Sequence, residues 1–355
     1  MEERNQLSWQ KAVEYSGYNF FSDWDFFTGQ DPSHGLVNYT DATTAFDDGL
    51  AFWTNTGVPG IQVDHWTKLP SGTPRNSVRM NTRDIFSGGL FIIDLQVMPF
   101  GCGVWPAFWT LGYEGSWPDN GEIDILEGIM SNNNNQMTIH TTAGCQLDQS
   151  PGLFTGTVGN TNCDSSSGGT GCSIISDSTS SYGQPFNNDG GGVFAMKWDG
   201  SGISIWNWNR WDIPQDITNQ NPDPTTWGLP AAEFSGNSCD MGRYFQAQVL
   251  ILNIDLCGDW AGGVYSTYSY CPGTCADFIA KPSNLDTAVM LINYIRVYQQ
   301  GATSPVSAQA DKTNNLTGAG GAVAGPSSAH PSFHFSFIPL IIASFSFLLS
   351  MAFLA

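Results

Sequence analysis

The sequence predicts an all-β domain, a sandwich or jelly roll, and three observations carry that expectation. The 355-residue chain holds 40 Gly and 13% aromatic residues against only 12% charged residues, a turn-rich profile. Short alternating runs recur between clusters of Gly, Pro, Asn and Asp, as regularly spaced strands do. Between Tyr15 and Gln300 there is no long amphipathic helix and no internal repeat. In chain order, residues 89–97 form an apolar, β-branched run behind a Gly pair. Residues 122–129 alternate acids with isoleucines, and Asn132 to Asn135 read as the turn into the next run, 136–142. Residues 193–198 and 202–207 flank the Asp199-Gly200 cluster, and 245–254 and 289–298 are rich in Val, Ile and Leu.

Charge narrows the partners. Lys and Arg total 12 against 32 Asp and Glu, a formal charge of −20, which argues against nucleic acid, heparin-like polymers and anionic membrane surfaces. A neutral polymer fits better, and aromatic rings stack on sugar C–H faces as well as filling cores. We expect a monomer. The eight cysteines form an even set without a C-x-x-C pair, so disulfides in an oxidising compartment are expected in place of a zinc site. Spacing does not settle the pairing; Cys163 with Cys172 and Cys271 with Cys275 are the short loops it suggests.

The last 23 residues, 333–355, are apolar and uncharged, after a stretch at 301–332 rich in Ser, Gly and Ala. Such a tail is long enough for a transmembrane helix. With small residues and a polar spacer before it, it fits a GPI-attachment signal better, so we expect a cell-surface or cell-wall protein anchored to the membrane at its C-terminus. Residues 1–14 lack the apolar run of a secretory leader, and the simplest account is a mispredicted start. The folded domain is then expected at 15–300.

Chemistry concentrates at Glu122, Asp124 and Glu127. On a helix, at about 100° per residue, Asp124 and Glu127 would point about 200° and 140° away from Glu122. On a strand Glu122 and Asp124 share one face, Ile123 and Ile125 the other. Strict alternation would leave Glu127 on the wrong side. One extra residue, a β-bulge near Ile125-Leu126, returns it to the face of the other two. Glu122 and Glu127 then behave like positions i and i+4, with Cα atoms about 13 Å apart at about 3.3 Å per residue. From there the carboxyls can approach the ~5–5.5 Å of a retaining glycosidase pair. The charge of Asp124 between them would raise a neighbour's pKa, keeping Glu127 protonated while Glu122 stays ionised. An acidic surface strand or a calcium-binding loop is the plain alternative.

The flanking sequence separates these readings. Trp105-Pro-Ala-Phe-Trp-Thr-Leu-Gly, then Trp117-Pro-Asp-Asn-Gly-Glu-Ile-Asp-Ile-Leu-Glu-Gly, then Met137-Thr-Ile-His-Thr resembles glycoside hydrolase family 16, in particular the fungal laminarinase-like endo-β-1,3(4)-glucanases. The similarity continues through Gly190-Gly-Gly-Val-Phe-Ala-Met-Lys-Trp, Cys257-Gly-Asp-Trp-Ala-Gly and Ile292-Asn-Tyr-Ile-Arg-Val-Tyr-Gln. The resemblance implies a β-jelly-roll sandwich of two curved antiparallel sheets, concanavalin A-like, with a concave cleft for β-glucan. It also implies retention of anomeric configuration, with Glu122 as nucleophile, Glu127 as acid/base and Asp124 as the supporting carboxylate. No cofactor is required, and no metal is expected at the acids; a structural calcium on the outer sheet stays open. Two alternatives remain: a cell-wall transglycosylase of the same family, whose strand resembles a five-residue E-I-D-x-E without the bulge, and a glucan-binding lectin.

Trp105, Trp109, Trp117 and Trp260 are the candidate stacking platforms. Trp206 and Trp208 share a strand face, stacked on glucan or packed in the core. His140, on the strand expected to return beside the acids, is a candidate partner for a carboxylate or a sugar hydroxyl, as against a structural histidine. Asn253, Asp255 and Asp259 surround another strand end, as sugar ligands or as a turn. Arg79 and Arg83 either neutralise acids or contact the glycan.

Overall fold

The structure, a computed structural model, describes residues 8–300. The tail expected to carry the anchor and its spacer, 301–355, lies outside the described residues, as do residues 1–7. Within them the strands are β1 (Trp9–Ser16), β2 (Trp24–Phe26), β3 (Val37–Tyr39), β4 (Ala51–Trp53), β5 (Pro59–Gln62) and β6 (Arg75–Ser77). They continue as β7 (Arg79–Thr82), β8 (Gly89–Val97), β9 (Val104–Gly112), β10 (Glu122–Glu127), β11 (Gln136–His140) and β12 (Thr157–Asn160). The last are β13 (Cys172–Ile175), β14 (Gly192–Asp199), β15 (Gly202–Asn209), β16 (Ala232–Ser235), β17 (Gln248–Leu256) and β18 (Val289–Gln300). The α-helices between them have four to six residues.

Two antiparallel sheets face each other. One runs β16-β15-β14-β8-β18-β5-β4 with β1 also paired to β18, and the other runs β12-β13-β11-β10-β9-β17-β7-β2. Alternation drives the packing. Phe91, Ile93 and Leu95 of β8 and Phe194 and Met196 of β14 meet Phe108, Ile123, Met137, Ile139, Leu250 and Leu252 of the opposite sheet in one core. The intervening Leu90, Ile92, Val193 and Ala195 form a second cluster on the outside of the first sheet, with Trp208 and Trp227 packed against it. There Trp206 and Trp208 both meet Trp227 edge-on, at 5.3 and 5.1 Å. They pack on the face opposite the core, away from the acids, and neither is a glucan platform in the cleft.

Three expectations need correction. The folded domain starts before Tyr15: β1 begins at Trp9 and pairs along β18, with Trp9 opposite Gln300. Only two of its eight residues are buried, so its pattern is weak. β9 does not stand among the runs expected from sequence; it contains Pro106, and proline inside a run argues against a central strand. Here the missing N–H costs nothing on the β17 side, since Ile254, opposite Pro106, donates its own N–H away from β9, to Val78 O. On the other side β10 ends at Glu127, opposite Ala107. Lastly, Cys271 and Cys275 do not pair. The bridges are Cys102–Cys271, Cys145–Cys239, Cys163–Cys172 and Cys257–Cys275. Cys275 opens a short helix (Cys275–Ile279) and its sulfur bonds back to the end of β17, leaving Cys271 for Cys102.

Candidate active site

The strands around the acids stack their residues in three rows across the sheet. The first row is His140, Glu122, Leu111 and Val249; the second is Thr138, Asp124, Trp109 and Ile251; the third is Gln136, Glu127, Ala107 and Asn253. From the second row to the third, β9 and β11 each advance two residues, Trp109 to Ala107 and Thr138 to Gln136. β10 advances three, Asp124 to Glu127. That is the expected bulge, and it places Glu122 and Glu127 opposite Leu111 and Ala107, four residues apart on β9.

The core side explains why this segment bulges. Ile125 and Leu126 are consecutive, yet both are fully buried in the core. A regular strand would turn one of them toward the cleft and forfeit roughly 1.5–3 kcal/mol of burial. The bulge keeps both apolar side chains inside and all three acids outside. Before it, Gly121 holds a positive φ of 78°, and a Cβ there would lie 2.5 Å from the Phe245 ring and 2.6 Å from Tyr244 O.

Each terminal acid is held by an indole. Trp117 Nε1 donates to Glu122 at 2.6 Å and Trp105 Nε1 donates to Glu127 at 2.8 Å. Asp124, only 2% exposed, faces His140, whose Nε2 lies 3.2 Å from Asp124 Oδ2 and 3.8 Å from Glu122 Oε1. The other ring nitrogen of His140 is 2.9 Å from Ser165 Oγ. The loop carrying Ser165 is closed by the Cys163–Cys172 bridge and comes so near that a Cβ on Gly171 would sit 2.7 Å from His140 Nδ1.

These contacts sort the protons. Burial, reinforced by the charge of Asp124, raises Glu127 well above the usual carboxylate range, and the Trp105 N–H and His140 offset that only in part. The same two causes push Glu122 up to about 7, against the pull of His140, the Trp117 N–H and Arg79. Burial would lower His140, but Glu122 and Asp124 overcome it and lift the imidazole to about 9. Both glutamates are thus harder to ionise than a free carboxyl, and the imidazole of His140 favours its protonated form. The donor atoms of Glu122, Asp124 and His140 come within 4.8 Å of one another, a spacing that fits a cation. A protonated imidazole, however, has no lone pair to give one.

Of the other residues singled out from sequence, Trp260 packs edge-on against Trp105 at 5.7 Å, beyond Glu127. Trp117, 52% exposed, lies 5.8 Å from His140 at the other end. Trp109 is nearly buried, donates to Asn253 at 2.8 Å and lies under Arg79, whose guanidinium is 5.0 Å from its ring. It belongs to the floor of the cleft. Asp255 is buried and accepts from Leu256 N and Ser33 Oγ, while Asp259 is paired with His34 at the surface. Arg83 is tied to Asp25. Sequence reasoning missed Ser165, Gln136 across from Glu127, and Asn135, which was read as a turn residue.

Two carboxyls on one cleft face, both partly buried and held by indole N–H groups, are the equipment of a glycoside hydrolase. The family model described as XgeA-like, catalytic GH16 domain matches residues 24–298, and the chain belongs to glycoside hydrolase family 16. A probable glycosidase of Schizosaccharomyces pombe is 41% identical over 290 residues, covering 81% of this chain and 68% of that protein. A probable endo-1,3(4)-β-glucanase of Aspergillus flavus is 40% identical over 317 residues, 85% of this chain but 47% of its own length. The chain thus spans about half the length of that relative. Among solved structures, an elongating family 16 β-1,3-glucosyltransferase has a TM-score of 0.77 at 38% identity, covering 82% of this chain and all of its own. Laminarinase 16A from Phanerochaete chrysosporium, bound to 6-O-glucosyl-laminaritriose in donor and acceptor sites, has a TM-score of 0.78 at 37% identity, with the same coverage.

Proposed function

We propose that the protein is a retaining endo-β-glucanase that hydrolyses β-1,3- or mixed β-1,3/1,4-glucan by double displacement. One observation carries the reading: Glu122 and Glu127 stand two rows apart on one cleft face, each fixed by an indole N–H, with Glu127 the harder to ionise. In the first step Glu122 attacks the anomeric carbon while Glu127 protonates the departing glycosidic oxygen. In the second Glu127, now a carboxylate, takes a proton from water, which displaces Glu122 from the sugar with a second inversion. His140, held against Asp124, favours the ionised form of the nucleophile and offsets the Asp124 charge. No cofactor takes part in this scheme. Four disulfides support action outside the cytosol, and the apolar sequence at 333–355 supports a membrane anchor.

Incubating the purified chain with laminarin, lichenan and cellulose, with NMR of the first product, tests this. A β-anomer from laminarin or lichenan is expected, and none from the Glu122→Gln variant. An α-anomer as first product sinks retention, and binding without turnover points to the lectin.

A second reading, transfer to another glucan chain, has its own support. Next to Glu127, a pocket of about 190 Å³ is lined by Gly128, Asn132, Asn133, Asn134, Gln136, Ile175 and Trp260. Carboxamides beside an indole suit a sugar, so an acceptor there would compete with water. The likeness to the glucosyltransferase and to the laminarinase is nearly equal, so it does not favour either outcome. Product lengths from a defined oligosaccharide decide: chains longer than the starting one mean transfer.

A further inference from the structure

We propose that Asn135 is the positioning residue of the acid/base: its buried carboxamide holds the bulge of β10 in the shape that puts Glu127 in the cleft. This rests on Glu127 serving as acid/base. The extra residue in β10 takes two backbone groups out of the ladder with β11, the C=O of Ile125 and the N–H of Glu127. Asn135 meets both. Its Nδ2 donates to Ile125 O at 2.9 Å, and its Oδ1 accepts from Glu127 N at 2.8 Å. A primary amide is suited to this, because it offers one donor and one acceptor side by side, as a peptide unit of the missing strand residue would.

The clamp is itself anchored. Asn135 has no exposed surface, its N–H donates to Ser181 Oγ at 2.9 Å, and Ser181 Oγ donates to Ser178 O at 2.7 Å. Its C=O accepts from Ser176 N at 2.8 Å. Glu127 is therefore gripped twice, by Asn135 at the backbone and by Trp105 at the carboxyl. Without the carboxamide, two buried backbone groups lose their partners, a loss that a shift of the bulge would relieve. Any such shift carries Glu127 with it, while Glu122 and Asp124 keep their places in the ladder.

The test separates aim from stability. Laminarin has a leaving group that must be protonated; a dinitrophenyl β-laminarioside does not. For Asn135→Ala we expect kcat/KM on laminarin to fall about 100-fold or more, the range of lost general-acid catalysis, and on the dinitrophenyl glycoside by less than about 10-fold. Glu127→Gln should show the same split. Ser181→Ala, which keeps the carboxamide but removes one of its anchors, should show a smaller split in the same direction, and decides the matter if Asn135→Ala does not fold. Equal losses on both substrates, or none, in the variant that folds would overturn the proposal. A wild-type chain that cleaves the aryl glycoside but no glucan would instead sink the proposed function.

Discussion

His140 touches Asp124, Nε2 to Oδ2 at 3.2 Å, and through that contact a cation reaches the centre of the carboxylate cluster. Its charge acts on Glu122 as well, 3.8 Å away. Replacing His140 by Gln keeps a polar side chain and removes the charge. The Asp124 charge on Glu122 is then no longer offset, so the pKa of Glu122 rises. In the proposed scheme Glu122 must be ionised to attack, so the acid limb of kcat/KM against pH should move to higher pH, with the largest loss below pH 7. An unmoved acid limb would show that the imidazolium does not set the nucleophile's ionisation.

Trp117 offers a ring and an N–H, and the two can be separated. Trp117→Phe keeps an aromatic face but deletes the 2.6 Å hydrogen bond to Glu122. A hydrogen bond to a charged group contributes about 1.5–3 kcal/mol, so kcat should fall about 10-fold or more while KM changes little. Steady-state kinetics on laminarin give the answer; a raised KM with unchanged kcat would assign Trp117 to sugar stacking alone.

Stability should fall as pH rises across the neutral range. Asp255 is fully buried near Asp31, and its carboxyl is pushed up to about 8 by burial first and the Asp31 charge second. Glu122 is pushed up to about 7. Between the ordinary carboxylate pKa of about 4 and those values, the folded chain keeps protons that the unfolded chain has released, so raising the pH favours unfolding. The stability these groups contribute is complete below about pH 4 and is lost through about pH 8. Melting temperature against pH should slope downward there, and Asp255→Asn should flatten the slope; an unchanged slope removes Asp255 from the account.

The bridges differ in the loops they close. Cys145–Cys239 spans 94 positions and Cys163–Cys172 spans nine, so by loop entropy the first stabilises by about 4–5 kcal/mol and the second by about 2–3. Double Cys→Ser variants should melt in that order. Unreduced peptide mapping should recover Cys102 with Cys271 and Cys257 with Cys275; a Cys271–Cys275 peptide would contradict the structure.

The acids were legible in the sequence because carboxylates at Glu122, Asp124 and Glu127 have no packing reason to share a strand face. Ile123 and Ile125 marked the core side, and Glu127, out of phase with the other two acids, marked the bulge. Contacts that depend on chain segments meeting in space were not legible. Ser165 reaches His140 from a loop 25 residues on, and Cys102 and Cys271 are 169 positions apart. β9 was hidden by Pro106, whose tolerance depends on where the neighbouring strand stops. Asn135 was hidden by company: in a run of four asparagines, a buried clamp and its turn-forming neighbours look alike.

The pairing of β1 with β18 also bears on how the domain could be rebuilt. Trp9 and Gln300 are register partners, so their Cα atoms lie about 5 Å apart, and a few residues would suffice to join them. The chain could then be opened at the exposed Gly200-Ser201 turn between β14 and β15, on the sheet that does not bear the acids. Such a circular permutant would keep every row of the cleft while β15 to β18, from both sheets, are synthesised before β1 to β14.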